Sequence, residues 1–290
     1  MNAPPFDFAQ LNYPLAPCTL YRIGGPARVA LLPRNEAEVE QAYRWMREQP
    51  GRKLILGGGS NVLIDDAGFD GIVLFTTELT RLEDLGDHRF YVGSGVELDA
   101  MVREVMLAHN YDGVGGFTGI PGSTGGAIYM NAGTVKGSTC QWMESVDVMK
   151  PSGLATVPMR PELYSYRGQT FCAPGDVILG GTFRFVPAEA DQRAIYNHYK
   201  QRRLEKQPQG YCCGSVFKNP EGGHAGQLIE SCGLKGTRRG GAIISPMHAN
   251  FIMNEGEATF QDVLGLITLA RERVASVHGV ALEAEVRIIQ

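Results

Sequence analysis

The sequence predicts a two-domain protein of mixed α and β structure, and three observations carry that reading. Short apolar runs of strand length alternate with amphipathic stretches of helical period. The 37 glycines gather into clusters, where average usage would give a chain of this length about 20. Pro208 to Gly210 breaks the pattern late in the chain, and a compact βα set follows it.

Taken in order, Arg28 to Leu32 reads as a strand and Glu36 to Glu48 as a helix with Ala37, Val39, Ala42, Tyr43 and Met46 inward. Lys53 to Leu56, Ile72 to Phe75 and Phe90 to Val92 read as strands, and Glu97 to His109 as an amphipathic helix. Val146 to Met149 and Val177 to Phe185 continue the strands, and Ala188 to Lys206 reads as a long polar helix. Strands Ala242 to Ile244 and Phe251 to Met253, helix Thr259 to Val277 and strand Ala284 to Ile289 make up the final set. The boundary is placed near residues 187–210, giving domains 1–187 and 188–290, with no internal repeat.

Composition excludes several function classes. With 27 Lys and Arg against 31 Asp and Glu, the net charge of −4 argues against nucleic-acid binding through bulk charge. At 43% hydrophobic and 20% charged the chain can bury sizeable cores. Residues 1–20 show no targeting pattern, and no apolar run approaches the roughly 18 residues of a membrane span, so a soluble cytoplasmic protein is expected. The six cysteines form no C-x-x-C pair, and most read as buried thiols; the six histidines form no H-E-x-x-H, and no metal is expected.

The first chemical signal is Gly57-Gly58-Gly59-Ser60-Asn61-Val62, directly after an apolar strand. Glycines let the backbone approach a ligand, and successive N–H groups can form an anion-binding nest suited to a pyrophosphate. As a dinucleotide fingerprint the run is incomplete, because a helix should start there and Val62-Leu63-Ile64 is β-prone. A Rossmann loop and a plain turn both stay open on these residues alone. The second signal is Gly119-Ile120-Pro121-Gly122-Ser123-Thr124-Gly125-Gly126-Ala127, with Asn131-Ala132-Gly133 after it. Small residues on a helix starting near Ser123 could contact more phosphate or a flat ring, or serve only for tight packing. Two such loops sixty residues apart suggest an extended cofactor.

These motifs, with Leu163-Tyr164-Ser165-Tyr166-Arg167, Cys213-Gly214-Ser215-Val216-Phe217-Lys218-Asn219-Pro220 and the terminal Glu285-Val286-Arg287-Ile288-Ile289, resemble the UDP-N-acetylenolpyruvoylglucosamine reductase (MurB) family, in order from Thr19 to Ile289. The resemblance implies an α+β fold: an FAD-binding domain of the p-cresol methylhydroxylase/vanillyl-alcohol oxidase type plus a smaller C-terminal α/β substrate domain. It implies FAD as cofactor, NADPH as reductant, and reduction of UDP-N-acetylglucosamine enolpyruvate to UDP-N-acetylmuramate, a peptidoglycan precursor. FAD would be held by Gly57, Gly58, Gly59, Ser60, Asn61, Val62, Gly119, Ile120, Pro121, Gly122, Ser123, Gly125, Gly126, Ala127 and Arg203. The substrate would meet Tyr166, Lys206, Asn219, His248 and Arg287. A monomer with no nucleic-acid or membrane partner is expected.

The reaction needs a group to hold negative charge and a donor to protonate carbon. Arg167 suits the first task, since a guanidinium stays charged and grips a carboxylate bidentately; on bare sequence a surface arginine at a strand end is the plainer reading. The resemblance makes Ser215 the proton donor to the α-carbon, although serine is a weak acid and a turn serine is the plainer reading. It assigns Glu285 to orienting or protonating the intermediate; by alternation Glu285 and Arg287 share one strand face, which could also be a solvated edge. His248 suits a substrate contact or a structural role alike. Cys212 and Cys213 lack the His-paired context of a nucleophile and are taken as structural.

One family subtype carries an extra tyrosine-bearing loop, and no such insertion fits between Gly181 and Lys206, so the chain resembles the shorter subtype. Other readings are an FAD-dependent carbohydrate or alcohol oxidase on the same fold and a nucleotide-sugar or flavin-binding module without turnover.

Overall fold

The structure, a computed structural model, describes residues 3–290; Met1 and Asn2, which the sequence reading of the N-terminus includes, lie outside the described residues. The chain forms two compact units, the first built from residues up to 11, 29–58 and 70–202, the second from 12–28, 59–69 and 203–290. Two early stretches thus join the second unit, and the last change of unit falls between Arg202 and Arg203, within the helix Gln192–Lys206.

A four-stranded sheet, most of whose residues belong to the first unit, has the order Ala9–Pro14, Pro26–Leu31, Phe69–Phe75, Arg52–Leu56. The last two run parallel, with Leu54 opposite Val73. Helix Glu36–Glu48 buries Val39, Ala42, Tyr43 and Met46 against Val29, Leu31, Ile72 and Leu74. It starts where the Asn35 side chain accepts the Glu38 N–H at 3.0 Å, with Glu36 and Glu38 facing the positive end of the helix dipole. Ala37 is exposed rather than inward. At 100° per residue it lies about 200° from Val39, on the opposite face.

A five-stranded antiparallel sheet follows, ordered Gly153–Pro158, Met143–Lys150, Val177–Arg184, Arg89–Gly93, Leu82–Gly86. Its helical cover differs from the single regular helix expected over 97–109. Only Leu98–Met101 is α-helical, and Val102–Met106 widens into a π-turn in which the Leu107 N–H reaches Val102 O at 2.8 Å. The widening still leaves Met101, Val102, Val105 and Met106 buried among Phe90, Val92 and Phe117. The polar helix begins at Gln192 instead of Ala188. Asn110 is the reason: its amide donates to Ala188 O (2.8 Å) and Ala190 O (3.2 Å), and its side-chain oxygen accepts the Gln192 N–H (3.0 Å). Ala188 and Ala190 therefore spend their carbonyls on Asn110 before the helix can take them.

The second unit holds an antiparallel sheet of Arg238–Arg239, Ala242–Ile244 and Ile252–Asn254, and the helix Phe260–His278. Thr259 and Asp262 cap that helix reciprocally, and Gly279 closes it in the left-handed region. Its inner face, with Phe260, Val263, Leu266 and Ile267, packs on Ile244, Ile252, Val216, Phe217 and Leu63. Val62–Ile64 pairs in parallel with Arg287–Ile289. The terminal strand is shorter than the expected 284–289, because residues 283–286 direct their backbone groups to Val216–Lys218: the Lys218 N–H donates to Glu283 O (2.9 Å) and the Glu285 N–H to Val216 O (2.8 Å). Among the described residues no helix is long and apolar enough to cross a membrane.

Candidate functional site

In the first unit the structure brings the two glycine signals together. The Gly58 N–H donates to Ser123 Oγ at 3.2 Å, and a Cβ on Gly57 would sit 2.6 Å from that same oxygen. No side chain longer than hydrogen fits at Gly57 while Ser123 stays in place. Beside them Gly126 is exposed, and a Cβ there would meet only Ser123 Oγ at 3.7 Å, so this face is open. Gly119 and Pro121 are also exposed, with Ile120 and Gly122 half-buried. Bare backbone next to open space suits an extended, phosphate-bearing cofactor.

Other residues of the second motif serve the interior. The N–H groups of Thr124 and Gly125, opening the helix Thr124–Met130, donate to Val96 O (2.8 Å) and Ser94 O (2.9 Å). A Cβ on Gly125 would lie 2.5 Å from Ser94 Cβ, and Ala127 is buried. Gly125 and Ala127 are thus accounted for by packing.

The segment after the first glycine run forms strand Val62–Ile64, so the Rossmann geometry, which requires a helix there, is absent. Gly59 has φ +59°, and a Cβ on it would come within 1.8 Å of Cys18 O; the Leu20 N–H donates to Gly59 O at 3.1 Å. Ser60 and Asn61 are half-buried and Val62 is buried.

Arg167 lies in the two-residue turn, Tyr166-Arg167, between paired residues Ser165 and Gly168. Its φ of +55° is unusual for a residue with a side chain. The guanidinium donates to Gly133 O at 2.9 Å and stacks over the Tyr166 ring, 5.0 Å from its centroid. Tyr166 is 57% exposed. Asn131, which no site expectation included, anchors the hairpin: its amide donates to Ser165 O (2.8 Å) while its oxygen accepts the Cys140 N–H (3.0 Å). The only sequence signal for it was its position in Asn131-Ala132-Gly133.

In the second unit Ser215 and Glu285 lie on neighbouring segments. The Glu285 N–H donates to the carbonyl of Val216, the residue after Ser215, and Phe217 bridges Ala284. Val286 is buried while Ser215 and Glu285 are half-buried, so the alternation puts Glu285 on the accessible face with exposed Arg287. Two asparagine side chains hold these segments. Buried Asn250 accepts the Phe217 N–H (2.9 Å) and donates to Phe217 O (2.8 Å), and its own carbonyl accepts the Val216 N–H (2.8 Å). Asn61 donates from Nδ2 to Glu285 O at 2.9 Å and accepts the Arg287 N–H on its carbonyl at 3.0 Å. Asn250 is a residue the sequence reading misses, since nothing local in sequence reveals a carboxamide that substitutes for a strand.

His248 has a local structural contact. Its Nδ1 accepts the Asn250 N–H at 3.2 Å, its ring meets Phe251 edge-on, and burial holds its pKa below the ordinary histidine range. Asn219 Oδ1 accepts the Ala225 N–H at 3.1 Å, at the start of the helix Ala225–Ser231. Arg203 and Lys206 sit three apart on the last turn of Gln192–Lys206; Arg203 donates to Gln207 Oε1 at 3.2 Å and Lys206 is exposed. Cys213 donates to Val62 O at 3.3 Å, and burial pushes its thiol well above the ordinary range; Cys212 is raised by the same cause. Neither thiol is poised as a thiolate.

An α+β unit with an open glycine cradle marks a cofactor-binding protein, and residues 27–157 match the model of the FAD binding domain family, which makes this a flavoprotein with FAD as its cofactor. Residues 206–289 match the model described as UDP-N-acetylenolpyruvoylglucosamine reductase, C-terminal domain. A UDP-N-acetylenolpyruvoylglucosamine reductase from Synechococcus sp. (strain JA-3-3Ab) is 38% identical, over 97% of this chain and 91% of its own length. One from Chlamydia trachomatis serovar A is 37% identical, over 98% and 97%. The crystal structure of UDP-N-acetylenolpyruvylglucosamine reductase (MurB) from Thermus caldophilus superposes with a TM-score of 0.79 at 32% identity, covering 97% of this chain and 98% of that one. The chain belongs to the UDP-N-acetylenolpyruvoylglucosamine reductase family.

Proposed function

We propose that the protein reduces UDP-N-acetylglucosamine enolpyruvate to UDP-N-acetylmuramate at the expense of NADPH, as a cytoplasmic enzyme of peptidoglycan precursor synthesis. The observation that carries the mechanism is the 2.8 Å bond from the Glu285 N–H to Val216 O, which sets a carboxylate beside the segment of a hydroxyl within one unit. Six free cysteines agree with a reducing compartment.

FAD, when bound, would supply the two-electron chemistry that links NADPH to the methylene carbon of the enol ether. The chain's residues manage the charge and the proton that remain. Gly57 and Gly58, where a Cβ would meet Ser123 or Gly122, and the open face at Gly126 would hold the cofactor. Arg167, fixed at the tip of its hairpin, binds the substrate carboxylate and stabilises the negative charge that spreads onto it as the α-carbon becomes basic. Ser215 then gives its hydroxyl proton to the α-carbon, completing addition of hydride and proton across the double bond. Glu285 orients that hydroxyl or the intermediate, and Arg203, Lys206 and Arg287 supply positive charge for the anionic ligands.

Ser215→Ala tests the assignment by anaerobic stopped-flow absorbance of the flavin band. Reduction by NADPH should stay near wild type, whereas reoxidation by the enol ether should slow by about 10²–10⁴-fold, the usual contribution of a positioned proton donor. Equal losses in both half-reactions would remove Ser215 as the donor.

A further inference from the structure

Asn61 sits in the glycine-rich loop, yet its side chain is committed to the terminal segment of the chain. In a parallel pair, a residue donates its N–H to one residue of the neighbouring strand and accepts from the residue two further on. Val62–Ile64 and Arg287–Ile289 follow that pattern, with Val62 opposite Arg287. Extended by one residue, Asn61 would face Val286, donating to Glu285 O and accepting from the Arg287 N–H. The acceptance is present at 3.0 Å, but the donation comes from Nδ2 of the side chain, at 2.9 Å. The carboxamide has taken the place of the main-chain donor, so the Asn61 backbone N–H stays outside the ladder.

We propose that Asn61 is a positioning residue for Glu285. Its two bonds bracket Val286 and fix the direction in which the Glu285 side chain leaves the backbone. Glu285 is tied in turn through its own N–H to Val216 O, next to Ser215. A shift of the 285–287 backbone therefore carries the carboxylate away from the hydroxyl's segment. The inference rests on the role proposed above for Glu285. It adds that a loop assigned to cofactor binding by its backbone also sets the acid by its side chain.

The test compares Asn61→Asp, which turns an oxygen toward the Glu285 carbonyl, with Asn61→Ala, which deletes the group; if one misfolds, the other decides. Each is measured as purified flavin-loaded protein in both half-reactions, beside Glu285→Gln and the double variant Asn61→Asp/Glu285→Gln. Per bound flavin, reoxidation by UDP-N-acetylglucosamine enolpyruvate should fall by about 10–100-fold more than reduction by NADPH does in the Asn61 variants, the scale of a misplacement near 1 Å. The double variant should be no slower than Glu285→Gln within about twofold, because residues acting through one another are not additive. Amide hydrogen exchange supplies a readout apart from turnover: protection of Glu285 and Arg287 should drop about tenfold or more in flavin-free and flavin-loaded protein alike. Wild-type reoxidation in the Asn61 variants, with Glu285→Gln slow, would overturn the positioning role and leave Glu285 in place. Wild-type reoxidation in Glu285→Gln would instead overturn the role given to Glu285. Equal loss of both half-reactions in the Asn61 variants would reduce Asn61 to a cofactor-loop residue and overturn the inference.

Discussion

The glycine cradle and the asparagine-held segments reach rigidity by opposite means. At Gly57 to Gly59 the backbone is placed by the absence of side chains: a methyl would strike Ser123 Oγ at one end and Cys18 O at the other. At Val216–Phe217 and Glu285–Arg287 it is placed by the presence of carboxamides, which supply donors and acceptors that a strand would otherwise provide. The first device leaves surface bare for a ligand. The second leaves the Ser215 and Glu285 side chains on short segments that depend on those carboxamides for their place.

The largest effect that would break this comparison belongs to the cradle. Gly59→Ala combines a left-handed φ with a 1.8 Å collision against Cys18 O, and should cost about 3 kcal/mol or more in urea unfolding of the flavin-free protein. An unchanged midpoint would mean the loop yields easily and its shape is set by something else. Asn250→Ala comes next, at about 2–3 kcal/mol, since it strands the N–H and C=O of buried Phe217. Asn250→Asp should lose less, keeping the acceptor for the N–H; equal losses would show that filling the space matters more than the bonds.

The smallest effect sharpens the comparison through pH. Burial depresses the His248 pKa, so the unfolded chain binds its proton more readily than the folded one. His248 therefore costs the fold nothing above the ordinary histidine value near 6.5 and destabilises it progressively as pH falls below that value. Protonation also converts Nδ1 from acceptor to donor, against the Asn250 N–H. The unfolding free energy from urea titration should drop between pH 7 and 5 by less than about 1 kcal/mol, and His248→Gln should flatten the drop. The same slope in both proteins would place the titration elsewhere.

Much of this was legible from local pattern. The helix Glu36–Glu48 combines an amphipathic period with an asparagine cap, and both belong to adjacent residues. The glycine runs announced themselves because close backbone approach leaves a compositional trace. What stayed hidden depends on distant partners. Asn61 finds Glu285 across 224 positions and Asn250 finds Phe217 across 33, and an asparagine in a loop looks the same whether it caps a turn, meets a ligand or replaces a strand. Asn110 hid in the same way: the sequence pattern starts the helix at Ala188, whereas the amide takes the carbonyls of Ala188 and Ala190 and the helix begins at Gln192. The π-turn at Val102–Met106 was illegible because its apolar residues remain buried when the period stretches.

Arg167 gives the hairpin tip a different kind of information. Its backbone occupies a region that glycine and asparagine enter more readily, at a cost to other residues of about 1 kcal/mol or more. A library randomised at this one position would then divide by the pressure applied to it. Sorted for folding alone, it should drift away from arginine toward glycine or asparagine; sorted for growth that depends on the reaction, it should return to arginine. The position would act as a recorder of which demand was being selected.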